Sequence, residues 1–270
     1  MRCTRPAAAW LLSATLITVS AMGQPEPSPR TASPGSPLSV EEVIKNVQQR
    51  NRERAQALRQ FQSTRTYRLK YLGFPSDRDA EMTVSVNYQS PGKKEFNVVS
   101  QTGSKFIITH VFRKLLEGEQ EAADQGNQRR TALSPENYEF KMDSYATSPS
   151  GAQYVLEVTP KTDNKFLYRG KIWIDAADFA VTQIKAEPAK NPSFWIKKTE
   201  IEHRYVKVDG FWLPLENRSE SIIRLGGRAT LTIEYRDYKV MATRPLDEIR
   251  HGDAKSLLVG FPSLTQPTAK

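Results

Sequence analysis

The sequence predicts an α+β fold, in which a strongly curved antiparallel sheet of about ten strands forms an unclosed β-barrel wrapped around helices. Three observations support this prediction. From Arg65 nearly to the end, apolar and polar residues alternate with the period of half-buried strands. The connections between these segments are short, so neighbouring strands are antiparallel. Two stretches have helical spacing instead, and a wide sheet is expected to curl around the apolar stripe of such a helix.

The N-terminus has the pattern of a secretory signal. Arg2 and Arg5 precede an apolar run from Ala7 to Val19, and small residues follow up to Gly23. This run is too short for a permanent membrane anchor. We therefore predict a signal peptide over residues 1–23 and a soluble mature form in the periplasm or outside the cell.

Cysteine usage limits the chemistry of the mature chain. The only cysteine, Cys3, lies inside the predicted signal, before the apolar run rather than after it. A lipoprotein anchor is therefore not expected. The mature chain also has no thiol for a disulfide, a metal site or a nucleophile.

The charge of the chain is basic. The whole sequence carries +9, and removal of Arg2 and Arg5 leaves +7. This balance suits an anionic membrane surface or an acidic partner, so transient membrane contact is one expectation. No run of five basic residues occurs, and nucleic acid is not an expected partner outside the cytoplasm. Solvated strand faces and loops are the alternative explanation of the charge.

Composition divides the chain into four parts. After the signal, residues 24–37 contain five prolines among serines and are predicted to be a disordered tether. Residues 38–243 form the predicted domain, with a helical insertion at 105–126. Residues 244–270 are a C-terminal tail.

The first predicted helix opens at Ser39, which forms a capping box with Glu42. Apolar residues then recur at three- and four-residue steps from Val40 to Phe61, so one stripe of this helix is expected to be buried.

The second predicted helix runs from Lys105 to Asp124. Its basic residues come early and its acidic residues late, which opposes the helix dipole. Tertiary packing must compensate, so this helix is expected to dock on the rest of the domain.

The sequence does not favour catalysis. The three histidines, His110, His203 and His251, are too far apart to suggest a zinc helix, and no phosphate loop or nucleophile elbow occurs. Glu200 and Glu202 share a strand face and could in principle act as acid and base, but such pairs are more often a solvated sheet face. We expect a non-enzyme without a cofactor or metal.

Several strand segments resemble the periplasmic lipoprotein-carrier superfamily of outer-membrane lipoprotein-sorting proteins and related regulators. They are Tyr154-Val155-Leu156-Glu157-Val158-Thr159-Pro160, then Lys171-Ile172-Trp173-Ile174-Asp175, and then a strand that carries Ile184. The resemblance covers Ser39 to about Val240 and implies an unclosed β-barrel that holds helices in its mouth. It also implies an apolar hollow that binds the acyl chains of a lipid or lipoprotein. No ligand contact of the family can be assigned residue by residue.

Large aromatic residues are the candidates for lining that hollow. We hypothesise Trp173, Phe179, Trp195 and Trp212 as ligand-binding residues, and the 105–126 insertion as a lid. The same residues would serve equally well as core, and the sequence leaves both interpretations open.

The expected function is that of a non-enzymatic periplasmic carrier or sensor of acyl chains. Basic residues near the rim would meet anionic head groups. The alternative is an envelope protein-interaction module of the same fold, such as an anti-sigma regulator or an assembly scaffold, which would bind another protein through its two-faced strands or a sheet edge.

Overall fold

The computed structural model of the chain describes residues 37–122, 129–148, 151–191, 193–224 and 226–243. The predicted signal, nearly all of the tether, the end of the insertion and the tail lie outside these residues. Within them, the sequence forms one antiparallel sheet and a few helices.

Two helical regions cover the sheet. Helix α1 spans Val40–Ala57. The second region starts with α2 (Lys105–Ile107), passes through a π-helical turn (Ile108–Phe112) and continues as α3 (Arg113–Ala122). We call residues 105–122 together the insertion helix.

The ten predicted strands are present and form one antiparallel sheet, which confirms that part of the sequence prediction. The sheet order is β3-β2-β1-β10-β9-β8-β7-β6-β5-β4. The strands are β1 (Leu58–Gly73), β2 (Arg78–Gln89), β3 (Lys93–Gly103), β4 (Tyr138–Ser148), β5 (Gly151–Pro160), β6 (Tyr168–Asp175), β7 (Val181–Pro188), β8 (Ile196–Val208), β9 (Phe211–Ile223) and β10 (Gly227–Thr243). The sheet is not a simple meander, because β1 pairs with β10 and the consecutive strands β3 and β4 lie at opposite edges.

The predicted strong curvature is wrong. The sheet is neither closed nor strongly curled, and β3 and β4 are its two unpaired edges. The physical reason lies in how the helices divide the sheet. Each helix covers its own part of one face, so the sheet buries its apolar residues without wrapping around a single helix.

One face of the sheet is largely buried, except at the edge strand β3. Residues that oppose each other directly in the ladders share a face, and one such row crosses nine strands. It consists of Met82, Tyr67, Ile233, Asn217, His203, Ile184, Ile172, Leu156 and Met142. The row is apolar at both ends and polar in the middle, at Asn217 and His203.

The two apolar ends of this face belong to separate core clusters. Val43, Ile44 and Val47 of α1 pack on β4 to β8. Phe112 and Leu115 of the insertion helix pack on β1, β2 and β10. The core is thus divided between two helices, and the middle of the sheet lies between them.

The opposite face of the sheet is charged and exposed. Its arginines pair with carboxylates on neighbouring strands, as in Arg204–Glu216 at 2.8 Å and Arg68–Glu234 at 2.6 Å. Such pairs contribute little to stability individually. Glu200 and Glu202, the sequence candidates for an acid and a base, belong to this lattice and pair with Lys198 and Lys185.

Helix α1 ends earlier than predicted. The apolar spacing suggested a helix as far as Phe61, but the chain becomes strand at Leu58. Phe61 instead stacks on Tyr88 of β2, with ring centroids 4.9 Å apart. Tertiary pairing of β1 with β2 and β10 therefore overrides local helical spacing over these four residues.

The predicted capping box at the start of α1 is present. The Ser39 hydroxyl accepts a hydrogen bond from the Glu42 amide at 3.3 Å, and the Glu42 carboxylate accepts one from the Ser39 amide at 2.9 Å. We expect Ser39→Ala to lower the free energy of unfolding by about 1 kcal/mol. Urea denaturation measures this change, with Ser100→Ala on the exposed edge strand β3 as the control. Equal stabilities of the two variants would contradict it.

Candidate functional site

A cavity of about 490 Å³ lies on the buried face of the sheet, beside the insertion helix. Its floor comes from β1, β9 and β10, one wall from the insertion helix, and another from residues 193–196 that lead into β8. This volume is in the range of small-molecule binding sites.

The floor of the cavity is made of small side chains. Ser219 and Ser221 of β9 face it, and Ala229 of β10 lies opposite Ser221 in the ladder. The Ser221 hydroxyl is 2.9 Å from the Thr199 hydroxyl, so its polar atom has a partner within the sheet. Larger residues border this floor, and most of the cavity surface is apolar as a result. The apolar border consists of Leu69, Leu231, Ile223 and Ile196.

The wall from the insertion helix depends on its π-helical turn. A π turn adds a residue to the helix and changes which side chains share a face. Phe112 and Leu115 are fully buried in the core, whereas His110, Val111 and Lys114 face the cavity. π turns often occur at functional sites, and this one lies beside the cavity.

A buried ionic cluster fastens the insertion helix to the sheet. The Glu119 carboxylate accepts hydrogen bonds from Arg65 of β1 at 2.6 and 2.7 Å and pairs with Lys94 of β3 at 3.2 Å. The side chains of Arg65 and Glu119 are only 5% and 7% exposed. The Tyr67 hydroxyl donates to the same carboxylate, and Arg65 lies over the Tyr235 ring. The docking predicted from the unfavourable dipole is therefore confirmed.

The Glu119 carboxyl of this cluster stays ionised over a wide pH range. Burial alone would raise the pKa of the Glu119 carboxyl, but the attraction of Arg65 and Lys94 outweighs it and lowers the pKa to about 2. The carboxylate therefore stays ionised at neutral pH. This cluster fixes the position of the C-terminal half of the insertion helix.

Basic groups lie at the edge of the apolar cavity. Arg78 of β2 and Lys114 of the insertion helix both line it, and His110 stacks on Phe106 with ring centroids 4.7 Å apart. No acidic side chain contributes to the lining among the residues that the structure describes. A ligand with an apolar body and an anionic end would complement this arrangement.

The four aromatic residues hypothesised from the sequence do not come together. Trp195 lines the cavity. Phe179 and Trp212 pack against the core cluster under α1, and the Trp212 indole donates to Asp178 at 2.8 Å. Trp173 alternates with the buried Ile172 and Ile174 and lies on the other face of the sheet. The role of Trp195 as a ligand contact stays a prediction.

Sequence reasoning missed most of the lining residues because it searched for large aromatic side chains. Large side chains fill space, and a cavity remains where inward positions are small. The available signal was therefore the run of inward-facing Asn217, Ser219 and Ser221 on β9, where β5, β6 and β7 have aliphatic residues such as Leu156, Ile172 and Ile184. The residue pattern of β9 contained this signal. Only the folded structure shows that the insertion helix leaves the space over these small side chains unfilled.

Other candidate chemistry is not assembled. His203 is fully buried, and burial lowers its pKa to about 3, so the imidazole is neutral. His110 lies at the cavity, and His251 lies outside the described residues. In the part of the chain that the structure describes, no group of three or more His, Cys, Asp or Glu side chains could hold a metal ion. None of the helices in that part is long and apolar enough to cross a bilayer.

Comparison with known proteins adds a likeness of fold. The chain resembles lipoprotein-sorting structures. A putative outer membrane lipoprotein-sorting protein domain from Vibrio parahaemolyticus matches with a TM-score of 0.38 at 11% identity, over 74% of this chain and 93% of that one. A DUF1329 family protein from Desulfovibrio piger matches with the same TM-score and identity, over 74% and 92% of the two chains.

A LolA superfamily protein from Nitrosomonas europaea matches with a TM-score of 0.32 at 11% identity, over 79% of this chain and 97% of that one. No family model and no curated protein matches the sequence.

Proposed function

We propose that this protein is a non-enzymatic carrier or sensor that binds the acyl chain of a lipid or lipoprotein in the cavity under the insertion helix. The observation that supports it most directly is the cavity of about 490 Å³ with an apolar lining and a basic edge. Transfer of an acyl chain from water into such a lining is favourable by about 0.8 kcal/mol per methylene.

The binding mode follows from the distribution of polar groups. Leu69, Val111 and Leu231 offer contacts without hydrogen-bonding demands, so they suit a hydrocarbon chain. Arg78 and Lys114 lie where an anionic or polar head would remain near solvent. Removal of the acyl chain from water therefore supplies the affinity, and the basic residues at the cavity edge orient the ligand.

Release of the ligand would involve the insertion helix, because this helix forms one wall of the cavity. Its C-terminal half is anchored by Glu119, while its N-terminal half carries the lining residues Phe106 and His110. We propose that the lid function predicted from the sequence belongs to residues 105–111 rather than to the anchored part.

Affinity should depend on the length of the acyl chain. With a series of saturated fatty acids below their micelle concentrations, we expect the affinity to rise about fourfold per added methylene until the cavity is full. Isothermal titration calorimetry measures the series. An affinity that does not change with chain length would contradict the proposal, as would a lipid-free protein that binds no member of the series.

The alternative function, a protein-interaction module, would use a sheet edge or the second face. Both edge strands are interrupted by a bulge, at Val99 in β3 and at Asp143 in β4. Bulges on edge strands discourage pairing with another chain. The opposite face is a lattice of internal ion pairs. These features favour the acyl-chain carrier over pairing with a partner strand.

A further inference from the structure

The cavity lies at one end of the sheet, where four connections meet. They are the β1–β2 turn at 74–77, the start of the insertion helix, residues 193–195 before β8, and the β9–β10 turn. We call these segments the cavity rim.

Hydrogen bonds join the segments of the rim. The Tyr71 hydroxyl donates to the carbonyl of Phe74 at 2.6 Å and lies 3.2 Å from that of Gly226. The amide of Arg224 donates to the Trp195 carbonyl at 2.8 Å. On the other side, the backbone amide of Ser104, just before the insertion helix, donates to the backbone carbonyl of Asp79 at 2.8 Å. The four connections therefore form one continuous surface.

Large aromatic side chains are exposed on this surface. Phe74 and Phe194 are 76% and 74% exposed, and Phe106 and Trp195 are exposed as well. Each comes from a different segment, apart from the adjacent Phe194 and Trp195. Clustered exposure of large apolar side chains marks an interaction surface rather than a solvated one.

Arginines lie against these rings. The Arg78 guanidinium is 5.9 Å from the centroid of Phe106, and that of Arg224 is 5.0 Å from the centroid of Phe194. Neither arginine belongs to an ion pair among the residues that the structure describes, whereas four arginines of the outer sheet face do. The rim thus offers cationic groups whose charge is not matched by a carboxylate.

The acidic groups near the rim are Asp77, Asp79 and Glu187. Asp77 accepts a hydrogen bond from the amide of Gly73 at 2.9 Å, and Glu187 pairs with Lys198 at 3.0 Å. Lys105, exposed at the start of the insertion helix, adds positive charge. The rim is therefore both aromatic and net basic.

We propose that the cavity rim docks on the surface of an anionic phospholipid bilayer. Aromatic rings partition to the boundary between head groups and acyl chains, and arginine binds phosphate through paired hydrogen bonds. Neither the aromatic rings nor the arginines would bind a bilayer strongly alone, but together they support reversible membrane binding. Docking in this way places the cavity next to the acyl chains. Docking of the rim does not require a ligand in the cavity.

Vesicle flotation tests the charge contribution. We expect the protein to float with phosphatidylcholine vesicles that contain phosphatidylglycerol and to bind pure phosphatidylcholine more weakly. The double variant Arg78→Gln and Arg224→Gln is expected to bind the anionic vesicles about 25-fold more weakly, because each arginine near such a surface contributes a factor of about five.

The matched control is Arg218→Gln with Arg236→Gln, which removes the same charge from the outer face of the sheet. This pair is expected to leave vesicle binding unchanged. All proteins carry the same N-terminus, so a contribution from that segment cancels. Equal loss in both double variants, or binding that does not depend on phosphatidylglycerol, would overturn the proposal.

Fluorescence quenching tests the contact of the rings. With brominated acyl chains in the anionic vesicles, we expect Trp195 emission to be quenched, and the quenching to disappear in Trp195→Phe. Quenching that persists in Trp195→Phe would show that another surface enters the bilayer and would overturn the proposal. A protein that binds soluble polyglutamate but no vesicle would do the same, because its partner would then be an acidic polypeptide.

Discussion

Glu119→Gln is expected to lower the free energy of unfolding by about 3–5 kcal/mol, because it leaves the buried Arg65 and Lys94 without their counter-charge. Whole domains are stable by only about 5–15 kcal/mol, so the effect is a large fraction of the total. Urea denaturation measures the change. Hydrogen exchange is expected to locate the loss of protection in residues 113–122, which Glu119 fastens to the sheet.

The control for this substitution is Glu121→Gln, two residues further along the same helix. Its carboxylate pairs with Lys165 at 2.9 Å and is half exposed, so we expect a loss of at most about 1 kcal/mol. If the two variants were equally stable, the buried cluster would not be the anchor of the insertion helix.

The contribution of Glu119 to the free energy of unfolding depends on pH. Because its pKa is lowered to about 2 in the folded state from an ordinary value of 4.5, its stabilising effect is fully present above about pH 5. The effect is lost as the pH falls through the folded pKa. The stability difference between the wild type and Glu119→Gln is therefore expected to shrink as the pH is lowered from 5 to about 2. A difference that grows on acidification would contradict this assignment.

Ala229→Phe is expected to weaken acyl-chain binding about 60-fold, because the new ring displaces about three methylenes, each worth a factor of about four. Ala229 lies on the cavity floor, opposite Tyr71 and Ser221 in the two ladders. The ring would fill empty space, so we expect little loss of stability. Competition with a fluorescent fatty acid, cis-parinaric acid, measures the affinity.

Thr230→Phe is the matched control for the filled cavity. Thr230 is the next residue on β10, and it lies opposite Lys70 and Glu220 on the charged face. This variant adds the same ring to the same strand without entering the cavity, so its affinity should equal that of the wild type. Equal affinities in the two phenylalanine variants would place the ligand elsewhere.

Local patterns in the sequence account for the elements of this fold. Period-two alternation identified the strands, and the capping box at Ser39 identified the start of α1. The late acidic residues of the insertion helix predicted that it docks, and Glu119 is the residue through which it does so. These features depend on neighbours within a few residues, so they can be read without knowledge of the fold.

The end of α1 could not be predicted in the same way. Leu58 and Phe61 continue the helical spacing, yet both belong to β1. Whether this segment forms helix or strand depends on its strand partners, such as Tyr88 and Val240, which come from distant parts of the chain. Long-range pairing thus decides between two structures that the local pattern permits equally.

The sequence by itself determined ten antiparallel strands, two helices and the basic charge of the chain. Only the tertiary structure decided that the helices divide one face between them, that the sheet stays open without strong curl, and that Phe179 and Trp212 pack in the core. It also decided where the cavity lies, over Ser219, Ser221 and Ala229. The physical reason is that a cavity forms where side chains from several distant segments together leave space unfilled. No single segment of the sequence contains that information.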